Sequence, residues 1–267
     1  MPKKEPFAKG RRVCPFCGGS SQSVSSGEHV WPDWAGPFLP TRATKREHFY
    51  KGQDGFVAIT EVRKNYQRQG SPSGIKIKGP CKKCNETWMS KLETSAKPIL
   101  ILLLQGLNRN LTRKETEIVS QWAFLKFCVV SCQDKEIWCV SDSERKQFKE
   151  NLEIPKRFSA WVFRHNVDDW FDRNLWFSSR VRDPNTDFRP NFSDPHNVNT
   201  FALGFGRALF LCVFQWGVRI DTGFSRKHAA KLWPMRLNRG LQLPSVELDE
   251  DEVNAVARLL PLAAEDG

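Results

Sequence analysis

The chain has no long uninterrupted apolar run. Its two most apolar stretches are PILILLL (98 to 104) and FALGFGRALFLCVFQWGV (201 to 218). The first is too short to span a bilayer and the second is broken by Arg207 and three glycines, so both read as buried core and no membrane is expected as a partner. The opening residues MPKKEPFAKGRR are basic and polar, without an apolar leader or a small-residue cleavage site, which makes the cytoplasm the expected location. No internal repeat is evident. In the absence of an export signature, the 8 cysteines do not read as a disulfide framework. Four of them form two Cys-x-x-Cys pairs. The other four, Cys128, Cys132, Cys139 and Cys212, lie in apolar surroundings where a free thiol behaves as a small hydrophobe.

What is present is a chain of 267 residues with 40% hydrophobic content, long enough for one large domain or two modest ones with a real core. Its net charge of +11 is unevenly spread. Residues 1 to 93 carry 17 Lys+Arg against 8 Asp+Glu, whereas residues 94 to 267 carry 24 against 22. A concentrated positive field draws polyanions, so nucleic acid is the leading partner for the N-terminal part, against the plainer reading of a solvated basic face.

The expected fold class is α+β, with a small metal-stapled N-terminal domain over 1 to 95 and an α+β domain of antiparallel sheet and helices over 96 to 267. The first part is rich in turns, GGSSQSVSSG, KGQDG and QGSPSG among them, separated by the short strand candidates FVAITEV (56 to 62) and IKIKG (75 to 79). So many turns around so little core call for a metal. After Glu93 the composition changes. Thr112 and Glu115 form a capping box ahead of Ile118, Val119, Trp122, Leu125 and Val129, which repeat at helical spacing. IWCV (137 to 140), FSAWVF (158 to 163), NLWFSS (174 to 179) and the stretch 198 to 214 read as strands. A last short helix starts at the acidic LDEDEV (248 to 253) and ends near Pro261.

Cys14-Pro-Phe-Cys17-Gly-Gly and Cys81-Lys-Lys-Cys84-Asn are two metal knuckles, and together they supply the four thiolates of a tetrahedral zinc site. A closed four-sulfur site leaves no position for substrate, so this zinc is expected to be structural. Chemistry has to come from elsewhere, and the stretch Glu28-His29-Val30-Trp31-Pro32 lies between the knuckles. Alone, it reads first as a surface turn and only second as half of an active site.

With Cys-x-x-Cys upstream, acidic-His-apolar-x-Pro next, and Cys-x-x-Cys-Asn ahead of a helix downstream, residues 11 to 95 resemble the HNH, or ββα-metal, nucleases. The resemblance implies a metal-dependent endonuclease that hydrolyses phosphodiester bonds in DNA. A hairpin would carry Glu28-His29 and Asn85 would open the helix. A divalent cation, Mg²⁺ or Mn²⁺, would sit between them. The carboxylate of Glu28 and the amide oxygen of Asn85 are hard ligands suited to such an ion. His29, held neutral by a backbone carbonyl, would take the proton of the attacking water, while the cation stabilised the phosphate and the leaving oxygen.

The sequence departs from the family pattern twice. No histidine follows Asn85 on the helix, Glu93 being the acidic substitute for the cation, and 56 positions separate His29 from Asn85. The inserted segment and the second knuckle supply the expected nucleic-acid contacts: Arg42, Lys45, Arg46, Lys51, Arg63, Lys64, Arg68, Lys76, Lys78, Lys82 and Lys83. His48 reads as an exposed loop residue. Trp31, Trp34 and Trp88 read as packing residues before base-stacking ones, and His165, His196 and His228 as structural. Residues 96 to 267 would select a target, bind a partner or sense a signal. Restriction or phage defence would suit a small self-contained nuclease. Two alternatives stay open: an inactive zinc-stabilised nucleic-acid-binding module, and a nuclease directed at RNA.

Overall fold

The computed structural model describes residues 13–19, 27–39, 49–50, 61–62, 76–107, 109–132, 139–179, 198–216, 220, 222–235 and 240–258. The protein is a mixed α+β fold, with a six-stranded, mainly antiparallel sheet, helices and a four-cysteine cluster near the N-terminus.

The sheet explains the most apolar part of the sequence. Strands β5 (Phe158–His165), β6 (Asn174–Ser179), β7 (Val198–Phe205) and β8 (Ala208–Gln215) run antiparallel in the order β5-β8-β7-β6. The far edge of β5 is shared by β9 (Ala230–Trp233), which is antiparallel, and β10 (Glu247–Leu248), which is parallel. Alternate residues of β8 enter different hydrophobic clusters: Ala208, Phe210, Cys212 and Phe214 on one face, Leu209, Leu211 and Val213 on the other. A strand covered on both faces needs apolar residues at successive positions, and Phe201–Leu203 in β7 and Ala208–Phe214 in β8 provide them on either side of the Gly206-Arg207 turn.

The helices cover these faces. α3 (Arg113–Ser131) begins at the capping box of Thr112 and Glu115, and its Trp122 and Phe127 rings pack on Phe205, Phe210, Phe158 and Phe214 of the sheet. α2 (Ser90–Leu104) buries Leu92, Ala96, Ile99, Leu100, Leu103 and Leu104 in the same cluster. α5 (Glu250–Ala257), capped by Asp249, closes the opposite face with Val253 and Val256; it stops at Ala257, four residues ahead of Pro261. α4 (Asp142–Asn151) was not apparent from the apolar pattern, because only Arg145 and Phe148 of its ten residues are buried. Its Ser141 and Glu144 nevertheless form a capping box.

The N-terminal segment packs onto this frame. β1 (Glu28–His29) pairs antiparallel with β4 (Lys76–Ile77), and the pair leads through α1 (Lys82–Cys84) and a π-helical turn (Asn85–Met89) into α2. A second small pair joins β2 (Phe49–Tyr50) to β3 (Glu61–Val62). Trp31 is completely buried and its indole N–H donates to the Gly204 carbonyl at 2.8 Å. Gly204 has no room for a side chain: a Cβ there would lie 1.6 Å from the Trp170 carbonyl oxygen. Trp34 packs edge-on against Phe205, and Trp88 against Phe16 and Phe148, so all three tryptophans pack as expected. One buried cluster runs from Cys14 through Trp31 to Phe214, and α2 passes uninterrupted through residue 95. Among the expected strands, IWCV forms none within its described residues Cys139 and Val140, and the part of FVAITEV ahead of Glu61 lies outside the described residues. No helix among the described residues is long and apolar enough to cross a membrane.

Candidate functional site

The first site is the cysteine cluster. A knuckle forms because Gly18 takes a positive φ of 67°, letting the chain double back so that its N–H donates to the Cys14 carbonyl at 2.9 Å. The second knuckle is the N-terminal turn of α1, where the Cys81 sulfur accepts from the Cys84 amide at 3.4 Å, and the Cys81 amide donates to the Cys14 sulfur at 3.3 Å. All four sulfurs lie within 4.8 Å of one another. The Cys14–Cys84 and Cys17–Cys81 separations are 3.9 and 3.7 Å. Ligands about 2.3 Å from a tetrahedral zinc stand about 3.8 Å apart, so the four cysteines fit such an ion and can hold it. Burial, together with the neighbouring Cys14, pushes the Cys84 thiol up, a penalty that a central cation removes.

The second site is the segment Glu28 to Asp33. On the β1–β4 pair Glu28 lies opposite Ile77 and His29 opposite Lys76, so alternation sends Glu28 inward with Ile77 and His29 outward with the exposed Lys76. The His29 Nε2 lies 3.1 Å from the Asp33 Oδ1. Asp33 starts a 3-10 turn (Asp33–Phe38) that the buried Trp31 and Pro32 hold in place. A neutral imidazole that donates from Nε2 to a carboxylate keeps its lone pair on Nδ1. Partial burial is the main reason that His29 titrates below the ordinary histidine value; it outweighs the upward pull of Asp33, and Lys76 adds to the depression. The orienting partner is therefore a carboxylate, where the sequence suggested a backbone carbonyl.

Glu28 is engaged differently. Its Oε1 accepts from the Lys126 ammonium at 2.8 Å, and the same nitrogen donates to the His29 carbonyl at 2.8 Å and to Glu93 Oε2 at 3.1 Å. Lys126 is fully buried in the middle of α3. Burial alone would lower its pKa, but the Glu28 and Glu93 carboxylates outweigh that and hold it above the ordinary lysine value. All three ammonium donors are used. Two carboxylates and one ammonium leave the cluster at net −1, which a divalent ion would turn to +1 in a buried setting. The Lys126 nitrogen stands within 3.1 Å of both carboxylates and takes the position between them that a shared ion would need. While Lys126 is in place, Glu28 and Glu93 thus fit an ammonium and do not fit a shared Mg²⁺ or Mn²⁺.

Of the other residues singled out in the sequence, Asn85 is half-buried at the start of the π-helical turn, two turns ahead of Glu93. Lys76, Lys78, Lys82 and Lys83 are exposed around the β1–β4 pair and the second knuckle, Lys82 standing 3.6 Å from Glu86. Arg42, Lys45, Arg46, Lys51, Arg63, Lys64, Arg68, His48 and His196 lie outside the described residues. His165 is buried, accepts from the Val167 amide through Nδ1, and is lowered to about 4 by burial; His228 meets Ser225 at 2.8 Å. Cys128, Cys139 and Cys212 are buried and Cys132 partly so.

Sequence reading missed Lys126 and Asp33. The signal for the first was a lysine inside the apolar run AFLKFCVV, and for the second a carboxylate four residues after His29. Compared with protein-family models, with curated proteins and with solved structures, the chain matches none. Any reading of its function therefore rests on its own residues.

Proposed function

We propose that this chain is a nucleic-acid phosphodiester hydrolase, an endonuclease of HNH type acting first on DNA, with a structural zinc in its four-cysteine site and His29 as its general base. The observation that carries the reading is the outward group His29–Asp33–Lys76: a histidine held below its usual pKa, oriented by a carboxylate, directly across the strand pair from an exposed lysine.

Each residue type suits one part of the reaction. Neutral His29 takes a proton from water at Nδ1 as the water oxygen attacks phosphorus, and Asp33 stabilises the imidazolium that forms. Lys76 lies where it can offset charge growing on the phosphate, and Lys78, Lys82 and Lys83 extend the positive surface for flanking phosphates. The bond from phosphorus to the 3′ oxygen breaks, and that oxygen recovers a proton from solvent. The sulfur site supplies no chemistry; it joins the first knuckle to the start of α1, which carries Lys82 and Lys83 and follows β4 closely in the chain.

One observation favours a second reading, a nucleic-acid-binding module without activity: the carboxylate beside His29 is tied into a buried ion cluster. Zinc-loaded protein incubated with supercoiled plasmid or with structured RNA, with and without Mg²⁺ or Mn²⁺, separates the readings. Cleavage that disappears in His29→Ala supports the hydrolase, DNA against RNA as substrate decides the target, and binding without cleavage under every condition supports the module.

A further inference from the structure

The cluster at Lys126 bears on how the proposed base is held and on which cation serves it. The residue sits on α3, 97 positions from His29 in sequence, with its nitrogen bonded at 2.8 Å to the His29 carbonyl. Its side chain is completely buried, and its ammonium also lies 5.9 Å from the ring centre of Trp122, one turn earlier on the same helix. The three acceptors come from two separate parts of the chain: Glu28 and His29 from β1, Glu93 from α2.

We propose that Lys126 is the resident cation of the Glu28–Glu93 carboxylate pair, occupying the place that a divalent metal would otherwise take, and that it positions His29 through the backbone of β1. The part concerning His29 rests on the hydrolase reading, and the part concerning the cation does not. Three acceptors converge on one fully buried nitrogen, with both carboxylates turned toward it and the strand carbonyl completing its hydrogen bonds. Such a group is built as a cation site, and the protein itself supplies the cation. Lys126 is a positioning residue: it reaches no substrate, and it holds the strand from which the imidazole projects. A divalent ion that assists cleavage would then have to come with the phosphate at the outer face, beside Lys76, and would not depend on Glu28.

The test is a Mn²⁺ titration of full-length, zinc-loaded protein, with free Mn²⁺ read by electron paramagnetic resonance, for wild type, Glu28→Gln, Lys126→Met and the double variant. Wild type and Glu28→Gln should give the same binding curve. Lys126→Met should gain a site that is tighter by about ten-fold or more, because an adjacent positive charge is gone, and Glu28→Gln in that background should remove it. A purely structural lysine would not create a Glu28-dependent metal site on removal. Folded Lys126→Met without a new site overturns the proposal. If Lys126→Met does not fold, the comparison of wild type with Glu28→Gln decides: identical curves support the proposal, and wild-type Mn²⁺ binding that Glu28→Gln weakens about ten-fold overturns it. Loss of all nucleic-acid cleavage would remove the hydrolase reading and leave the Mn²⁺ result standing, whereas a Glu28-dependent Mn²⁺ site in wild type would remove this proposal and leave His29 as base.

Discussion

Replacing Lys126 by Met is the perturbation whose cost follows most directly from the structure. The methionine keeps nearly the volume of the fully buried lysine stem, so the packing around it changes little. The charge balance changes much more. Glu28, with a side chain only 7% exposed, is left without its counter-ion, whereas Glu93, at 24%, can recover part of its hydration. Breaking a buried ion pair from one side costs about 3–5 kcal/mol, since the remaining charge is uncompensated. In a chain of this length each kcal/mol lowers Tm by roughly 2–4 °C, so the single variant should melt about 6–20 °C below wild type. Adding Glu28→Gln removes the stranded charge and should recover most of that loss, leaving a deficit of about 1–2 kcal/mol for the hydrogen bonds not remade. Chemical denaturation of zinc-loaded protein measures both, with the slope checked for constancy. A Lys126→Met chain within 1 kcal/mol of wild type, or a double variant less stable than the single one, would refute the ion-cluster argument.

Three further outcomes are expected. Purified protein should carry one zinc per chain by elemental analysis, and changing Cys14, Cys17, Cys81 and Cys84 to Ser should abolish it and unfold the region around Phe16 and Trp88; full folding without metal would contradict the site. Changing Lys76, Lys78, Lys82 and Lys83 to Ala should lower the slope of log affinity against log salt for duplex DNA by up to about 3–4, an unchanged slope placing the partner surface elsewhere. His165 is lowered to about 4, so between that value and the unfolded value near about 6.5 the unfolded chain binds more protons. Its contribution is intact above about pH 6.5 and is lost as pH falls through this window, about 3 kcal/mol in all, a loss that His165→Gln should not show in denaturation at stepped pH.

The features legible in the sequence are those carried by short spacings. Two Cys-x-x-Cys turns specify their own geometry, a capping box specifies the start of α3, and a double-sided apolar run specifies β7 and β8. Glu28 and His29 were legible as a pair, but not their opposite fates, which follow from the one-residue alternation set by pairing with Lys76 and Ile77. Lys126 was hidden because its partners lie 98, 97 and 33 positions away, and no local pattern encodes such a meeting. The packing of Trp31 under Gly204 and of Trp34 on Phe205 was hidden for the same reason. α4 escaped because its helix signal is its cap and not its apolar face.

In the proposed hydrolase the outward imidazole of His29 does the chemistry while the buried cluster behind it holds the strand. Plasmid cleavage by zinc-loaded wild type and His29→Ala, matched for stability, zinc content and DNA affinity, tests it most directly. Loss of a general base costs about 10² to 10⁴ in rate, so His29→Ala should bind DNA as wild type does and cleave slower by that factor. A His29→Ala chain that cleaves at the wild-type rate would rule out His29 as the base.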